Sequence, residues 1–93
     1  IPSIINLSQN FPNPVRNQTI VPFEVAIQST LSLIIYDIKG RLIQEVITNQ
    51  QLQGAHQISV NLKYLPSGNY VYQLSGITKN GQVFKQSKFL QKK

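Results

Sequence analysis

Few side chains in this sequence could do chemistry. A hydrolytic centre needs a nucleophile held beside a base and an orienting acid. The chain supplies one histidine, His56, and three acids, Glu24, Asp37 and Glu45. Ser67, His56 and Asp37 can be written as a triad. However, Ser67 belongs to a Leu65-Pro-Ser-Gly68 turn and Asp37 opens an Asp37-Ile-Lys-Gly40 turn, so each already has a local task. His56 lies at a loop edge, where a solvated, hydrogen-bonded surface histidine is the expected state. The acids are too scattered for a calcium loop, which gathers several oxygens within about a dozen residues. The absence of cysteine removes disulfides, thiol chemistry and thiolate zinc sites. No glycine-rich phosphate loop occurs. The residues read as non-catalytic, with no cofactor and no metal.

The lysines are the other candidates. Lys79, Lys85, Lys88, Lys92 and Lys93 crowd the last 15 positions with no acid among them, in a chain of formal charge +6. Such a balance suits an anionic partner. Only 13% of residues are charged and arginine appears twice, at 16 and 41, so the dense basic patch of a nucleic-acid binder is missing and none is expected as a partner. Lysines on an edge strand also have a plain structural use, because they discourage indiscriminate pairing. The functional alternative is a docking strip, in which a partner adds a strand to the terminal edge and uses Lys88, Lys92 and Lys93 as charge handles.

The elements that would carry these residues are strands. Apolar residues recur with period two, and no window supports a helical stripe. Expected strands cover 3–8, 19–27, 30–38, 41–48, 56–62, 69–75 and 82–91. Val21, Phe23, Val25 and Ile27 share one face, as do Leu31, Leu33 and Ile35, and then Ile58, Val60 and Leu62. Pro22 cannot donate to a ladder, which suggests an edge or a bulge. Asp37 to Gly40 and the Asn80-Gly81 pair read as hairpin turns. Seven short strands at this spacing predict an all-β, immunoglobulin-like antiparallel sandwich of two sheets, with a five-stranded barrel as the alternative.

Tyr70 and Tyr72 lie two apart and point with Leu74 to one face. Core packing with the hydroxyls bonded at the sheet's end accounts for them better than base or sugar stacking. Tyr36 and Phe84 fall on the faces opposite their apolar neighbours and are expected to be exposed. Asn6-Leu-Ser8 and Asn17-Gln-Thr19 match the glycosylation sequon, a pattern common by chance in asparagine-rich sequence.

Ninety-three residues make one domain. Residues 1–6 read as the end of an upstream linker or the first strand, and 7–93 as the domain. No run approaches the roughly 18 apolar residues of a membrane-spanning helix, so no transmembrane segment is expected. The first residues lack signal-peptide features and an initiating methionine, which suggests a piece of a longer precursor.

Four motifs in order, Phe11-Pro-Asn-Pro14, Tyr36-Asp-Ile-Lys-Gly-Arg41, Leu65-Pro-Ser-Gly-Asn-Tyr-Val-Tyr72 and Lys88-Phe-Leu-Gln-Lys-Lys93, resemble the type A C-terminal sorting domain of the type IX (Por) secretion system. The resemblance implies an immunoglobulin-like address that directs an N-terminal cargo across the outer membrane of a Gram-negative bacterium. A surface sortase-like peptidase would then remove it, with the cargo released or anchored. It assigns Pro12, Asn13 and Pro14 to the opening motif, Asp37, Gly40 and Arg41 to the central hairpin, and Pro66, Ser67, Gly68, Tyr70 and Tyr72 to the late turn and its strand. Recognition by the secretion machinery would fall to Lys88, Phe89, Leu90, Lys92 and Lys93. Phe11 stands where tyrosine is common and would keep an aromatic plug. Accessory immunoglobulin-like modules of secreted bacterial enzymes, which bind carbohydrate or act as spacers, share parts of the pattern and form the alternative reading.

Overall fold

The alternating apolar residues do form strands, because period two puts every second side chain on one face of an extended chain. The computed structural model describes residues 4–93; the expectation for 1–6, the end of an upstream linker or the first strand, lies outside them in its first three residues. Five strands result: β1 (Ile5–Leu7), β2 (Gln18–Asp37), β3 (Leu42–Asn61), β4 (Gly68–Thr78) and β5 (Val83–Lys92), all paired antiparallel. The segments expected at 19–27 and 30–38 are the two halves of β2, which ends one residue earlier, and those at 41–48 and 56–62 form the two ends of β3 except for Arg41 and Leu62, which flank it. The chain stays in the ladder between them but changes register. Between the pairs Val25–Gly54 and Ser29–Leu52, β2 carries more residues than β3, and Gly54 takes φ 93°. Extra residues bend a strand, and here they carry the β2–β3 ribbon from one layer to the other.

The first layer is β1, the front half of β2 and the back half of β3. The second is the front half of β3, the back half of β2, then β4 and β5. Their inner faces enclose a core that includes Val21, Phe23, Val25, Leu31, Leu33, Ile35, Tyr72, Leu74 and Leu90. Ile27, expected inward, is instead exposed, because it sits in the register shift where alternation is lost. Phe84, expected to be exposed, packs against the core, and Tyr36 is half-buried. Phe84 pairs with Gly76, and the tip of its ring lies 2.9 Å from where a Cβ on residue 76 would stand, covering backbone that glycine leaves bare.

Pro22 lies inside β2, opposite Gln57. Its carbonyl accepts from Ser8 N at 3.0 Å, but it has no N–H to return the bond to Ser8. The Tyr72 hydroxyl donates to Ser8 O at 2.8 Å instead. A side chain from the opposite layer thus supplies the donor that proline lacks.

Candidate functional site

The four motifs, spread over some eighty positions, converge on one end of the sandwich. Asp37 pairs with Tyr70, Tyr70 with Leu90, Gly68 with Lys92, and Lys92 forms a parallel bridge with Val15. The 66–68 turn is braced by Tyr70, whose hydroxyl donates to Pro66 O at 2.8 Å. Ser67 is exposed in that turn.

The opening motif holds down the end of β5. Asn13 Oδ1 accepts from Gln91 N at 3.0 Å, Val15 N donates to Gln91 O at 2.8 Å, and Lys93 N donates to Val15 O at 2.8 Å. The Phe11-Pro12 and Asn13-Pro14 bonds are cis. Phe11 does not plug the core. The residue is 47% exposed, and its contribution is a backbone pair with Ile20. The buried polar residue beside it is Asn10, which spacing alone did not single out. Asn10 Nδ2 donates to Thr19 Oγ1 at 2.9 Å, and its backbone N donates to the Tyr72 hydroxyl at 2.9 Å. That hydroxyl therefore accepts from Asn10 while donating to Ser8. Burial pushes its pKa above the ordinary tyrosine value, the Asn10 hydrogen bond opposing in part.

Alternation divides the terminal segment. Phe89, 72% exposed, and Lys93 face solvent, and Lys88 is half-buried. Leu90 is 1% exposed in the core. Lys92 is 7% exposed, with Nζ donating to Lys93 O at 3.2 Å. Leu90 and Lys92 therefore anchor the strand while Phe89 and Lys93 are available for contact.

The two tight hairpins share one design. Asp37 N donates to Arg41 O and Gly40 N to Asp37 O; Thr78 N donates to Gln82 O and Gly81 N to Thr78 O. In each, the first side chain accepts from the fifth residue's backbone: Arg41 N to Asp37 Oδ1 at 2.9 Å, and Gln82 N to Thr78 Oγ1 at 3.0 Å. Gly40 and Gly81 take φ 87° and 88°, the left-handed position of a three-residue hairpin loop. Asp37 also accepts from Lys39 N and Arg41 Nε, each at 2.9 Å. The Arg41 backbone bond, and then its guanidinium, hold the Asp37 carboxyl below its ordinary pKa.

His56 stacks on Phe23, ring centres 5.5 Å apart, and its Nε2 lies 3.0 Å from Gln53 O. A depression of about 570 Å³ lies at the opposite end, lined by residues of β2, β3, β4 and β5, with Lys85 as the sole ionisable side chain among them. Among the described residues no group of three or more histidine or acidic side chains could hold a metal, and no helix is long and apolar enough to cross a membrane.

The model of the secretion system C-terminal sorting domain family matches residues 9–90, from just before the opening motif to Leu90. The chain belongs to that family. A sorting domain of this kind is the address for type IX secretion, by which an N-terminal cargo is exported across the outer membrane to the cell surface or beyond. No curated protein matches the sequence. Among solved structures the sorting domain is similar to CopC from Methylosinus trichosporium OB3b, at 17% identity and a TM-score of 0.63, over 95% of this chain and 92% of that one. At that identity the likeness concerns the fold.

Proposed function

We propose that the secretion machinery reads this sorting domain as a folded object, at the end where its motifs meet, and that a surface sortase-like peptidase then removes it from its cargo. The observation that carries this reading is the convergence of the opening motif, the central hairpin, the late turn and the terminal strand on one end of the sandwich. Most motif residues act there as scaffold. Asn13 and Gly68 position β5, and Tyr70 and Tyr72 fasten the loops beside it. Phe89 and Lys93 remain exposed for contact with half-buried Lys88 beside them, and Leu90 and Lys92 hold their strand in place. Exposed lysines contribute about 1 kcal/mol or less each and are screened by salt, so they orient an encounter that shape and the Phe89 ring must complete.

The test is a reporter fused ahead of this domain in a host with type IX machinery. Replacing Lys88 and Lys93 with glutamine and Phe89 with serine should leave the isolated domain folded and block export; unchanged export would defeat the reading. The mass of exported wild-type fusion tests removal. A reporter that reaches the surface still joined to the whole domain would contradict cleavage.

A further inference from the structure

Resting on that sorting role, the geometry points to the outer edge of β5 between Lys85 and Phe89 as a docking edge, at which an extended segment of a partner bearing acidic side chains pairs by backbone hydrogen bonds. Among the described residues β5 forms a ladder with β4 alone, in unbroken register from Val83 to Lys92. In an antiparallel strand, alternate residues direct their backbone groups to opposite edges. The bonds of Gln91 and Lys93 to the opening motif show that the odd-numbered residues point outward.

The far end of this edge is already covered. Asn13 and Val15 occupy Gln91 and Lys93, and Gln9 Nε2 donates to Phe89 O at 2.9 Å. Farther back, β1 comes near but forms no ladder with β5. The Gln86 carboxamide crosses the gap, accepting from Leu7 N at 2.9 Å and donating to Ile5 O at 3.1 Å. Among the described residues, the backbone groups of Lys85 and Ser87 and the N–H of Phe89 have no outward partner. The side chains flanking this stretch, Lys85, Ser87 and Phe89, are exposed.

Two features favour this edge and fix the chemistry of its occupant. The outer edge of β3 is longer but interrupted, with register shifts along its pairing and left-handed φ at Asn49 and Gly54. Bulges of that kind spoil an edge as a template. Charge is the second feature, because no acid follows Glu45 in the chain while the open stretch itself carries Lys85 and Lys88. A strand with acidic residues at alternate positions complements it, and a lysine-rich one is repelled.

Ser87→Pro tests the edge directly. It removes an N–H that the fold leaves unused, and proline is tolerated on an outward-facing edge. In the reporter fusion, Ser87→Pro should lower export roughly tenfold, as loss of a modest share of pairing energy would, while the purified domain still unfolds cooperatively. Lys85→Glu, at an exposed site, should lower export similarly and serves if the proline variant does not fold. Export at the wild-type level by a folded Ser87→Pro or by Lys85→Glu overturns the docking edge. The same outcome follows if Lys85→Ser dimerises in solution yet exports normally, because the lysine then only guards against self-pairing. Deleting residues 9–93 separates the two ideas: export that survives the deletion defeats the sorting role itself, whereas a retained reporter confines the failure to the edge.

Discussion

Asn13 and Gln91, 78 positions apart, meet through a 3.0 Å hydrogen bond from the Gln91 backbone to the Asn13 side chain. This contact ties the opening motif to the end of the chain's last strand. Asn13→Ala should expose the Gln91 amide and cost about 1 kcal/mol, the typical net worth of one hydrogen bond. Hydrogen exchange at Gln91 should quicken while the central hairpin amides stay unchanged. Unaltered exchange there would show that Val15 alone holds the strand.

Tyr72 is a larger liability. Its hydroxyl serves both Asn10 N and Ser8 O inside the protein. Tyr72→Phe strands both groups, and the loss should be about 1 to 3 kcal/mol in urea unfolding. A cost well below that range would mean that water replaces the hydroxyl.

The same residue sets an alkaline limit. Burial raises the folded-state pKa above the ordinary 10.0. The favoured neutral form therefore contributes its full stability below about pH 10, and that contribution declines as pH climbs toward the raised folded value. Urea midpoints on either side of pH 10 should fall with rising pH in the native protein and fall less in Tyr72→Phe; equal slopes would refute the assignment.

At the acid end Asp37 behaves in the opposite sense. Its carboxyl is held below the ordinary 3.8, chiefly by the Arg41 backbone bond. Its contribution is present above that value and disappears as pH drops through the lowered one. Asp37→Asn keeps an acceptor for Lys39 N and Arg41 N, whereas Asp37→Ala keeps none. Hairpin amide protection should therefore survive in Asn at neutral pH and be lost in Ala.

Gly76 admits no side chain. A Cβ there would strike Thr30 O and the Phe84 ring. Gly76→Ala should lower stability by about 1 to 3 kcal/mol, as overpacking does. The companion Phe84→Ala, which clears the ring but not the carbonyl, should restore only part of the loss; full restoration would place the whole clash on the ring.

Much of this domain was legible in its sequence because strand faces and tight turns are local. Period two identified Leu31, Leu33, Ile35, Tyr70, Tyr72 and Leu74 as inward, and the Asp37 and Asn80-Gly81 turns followed from side-chain acceptors and left-handed glycines. Alternation failed where register shifts, at Ile27, and where one residue fills another's absence, at Phe84 over Gly76. The motifs identified the sorting family, but their order along the chain did not reveal that they share one end.

What only the tertiary structure decided is the division of labour along β5. The sequence places Lys88 to Lys93 in one basic run. Folding sends Leu90 and Lys92 inward, leaves Phe89 and Lys93 outside, and covers the edge at Gln91 and Lys93 while, among the described residues, leaving it open at Lys85 and Ser87. Side-chain direction repeats every two residues and can be read locally. The covering of a strand's edge depends on hydrogen bonds from Gln9, Asn13 and Val15, which lie far away in sequence, so it exists only once the chain has closed on itself.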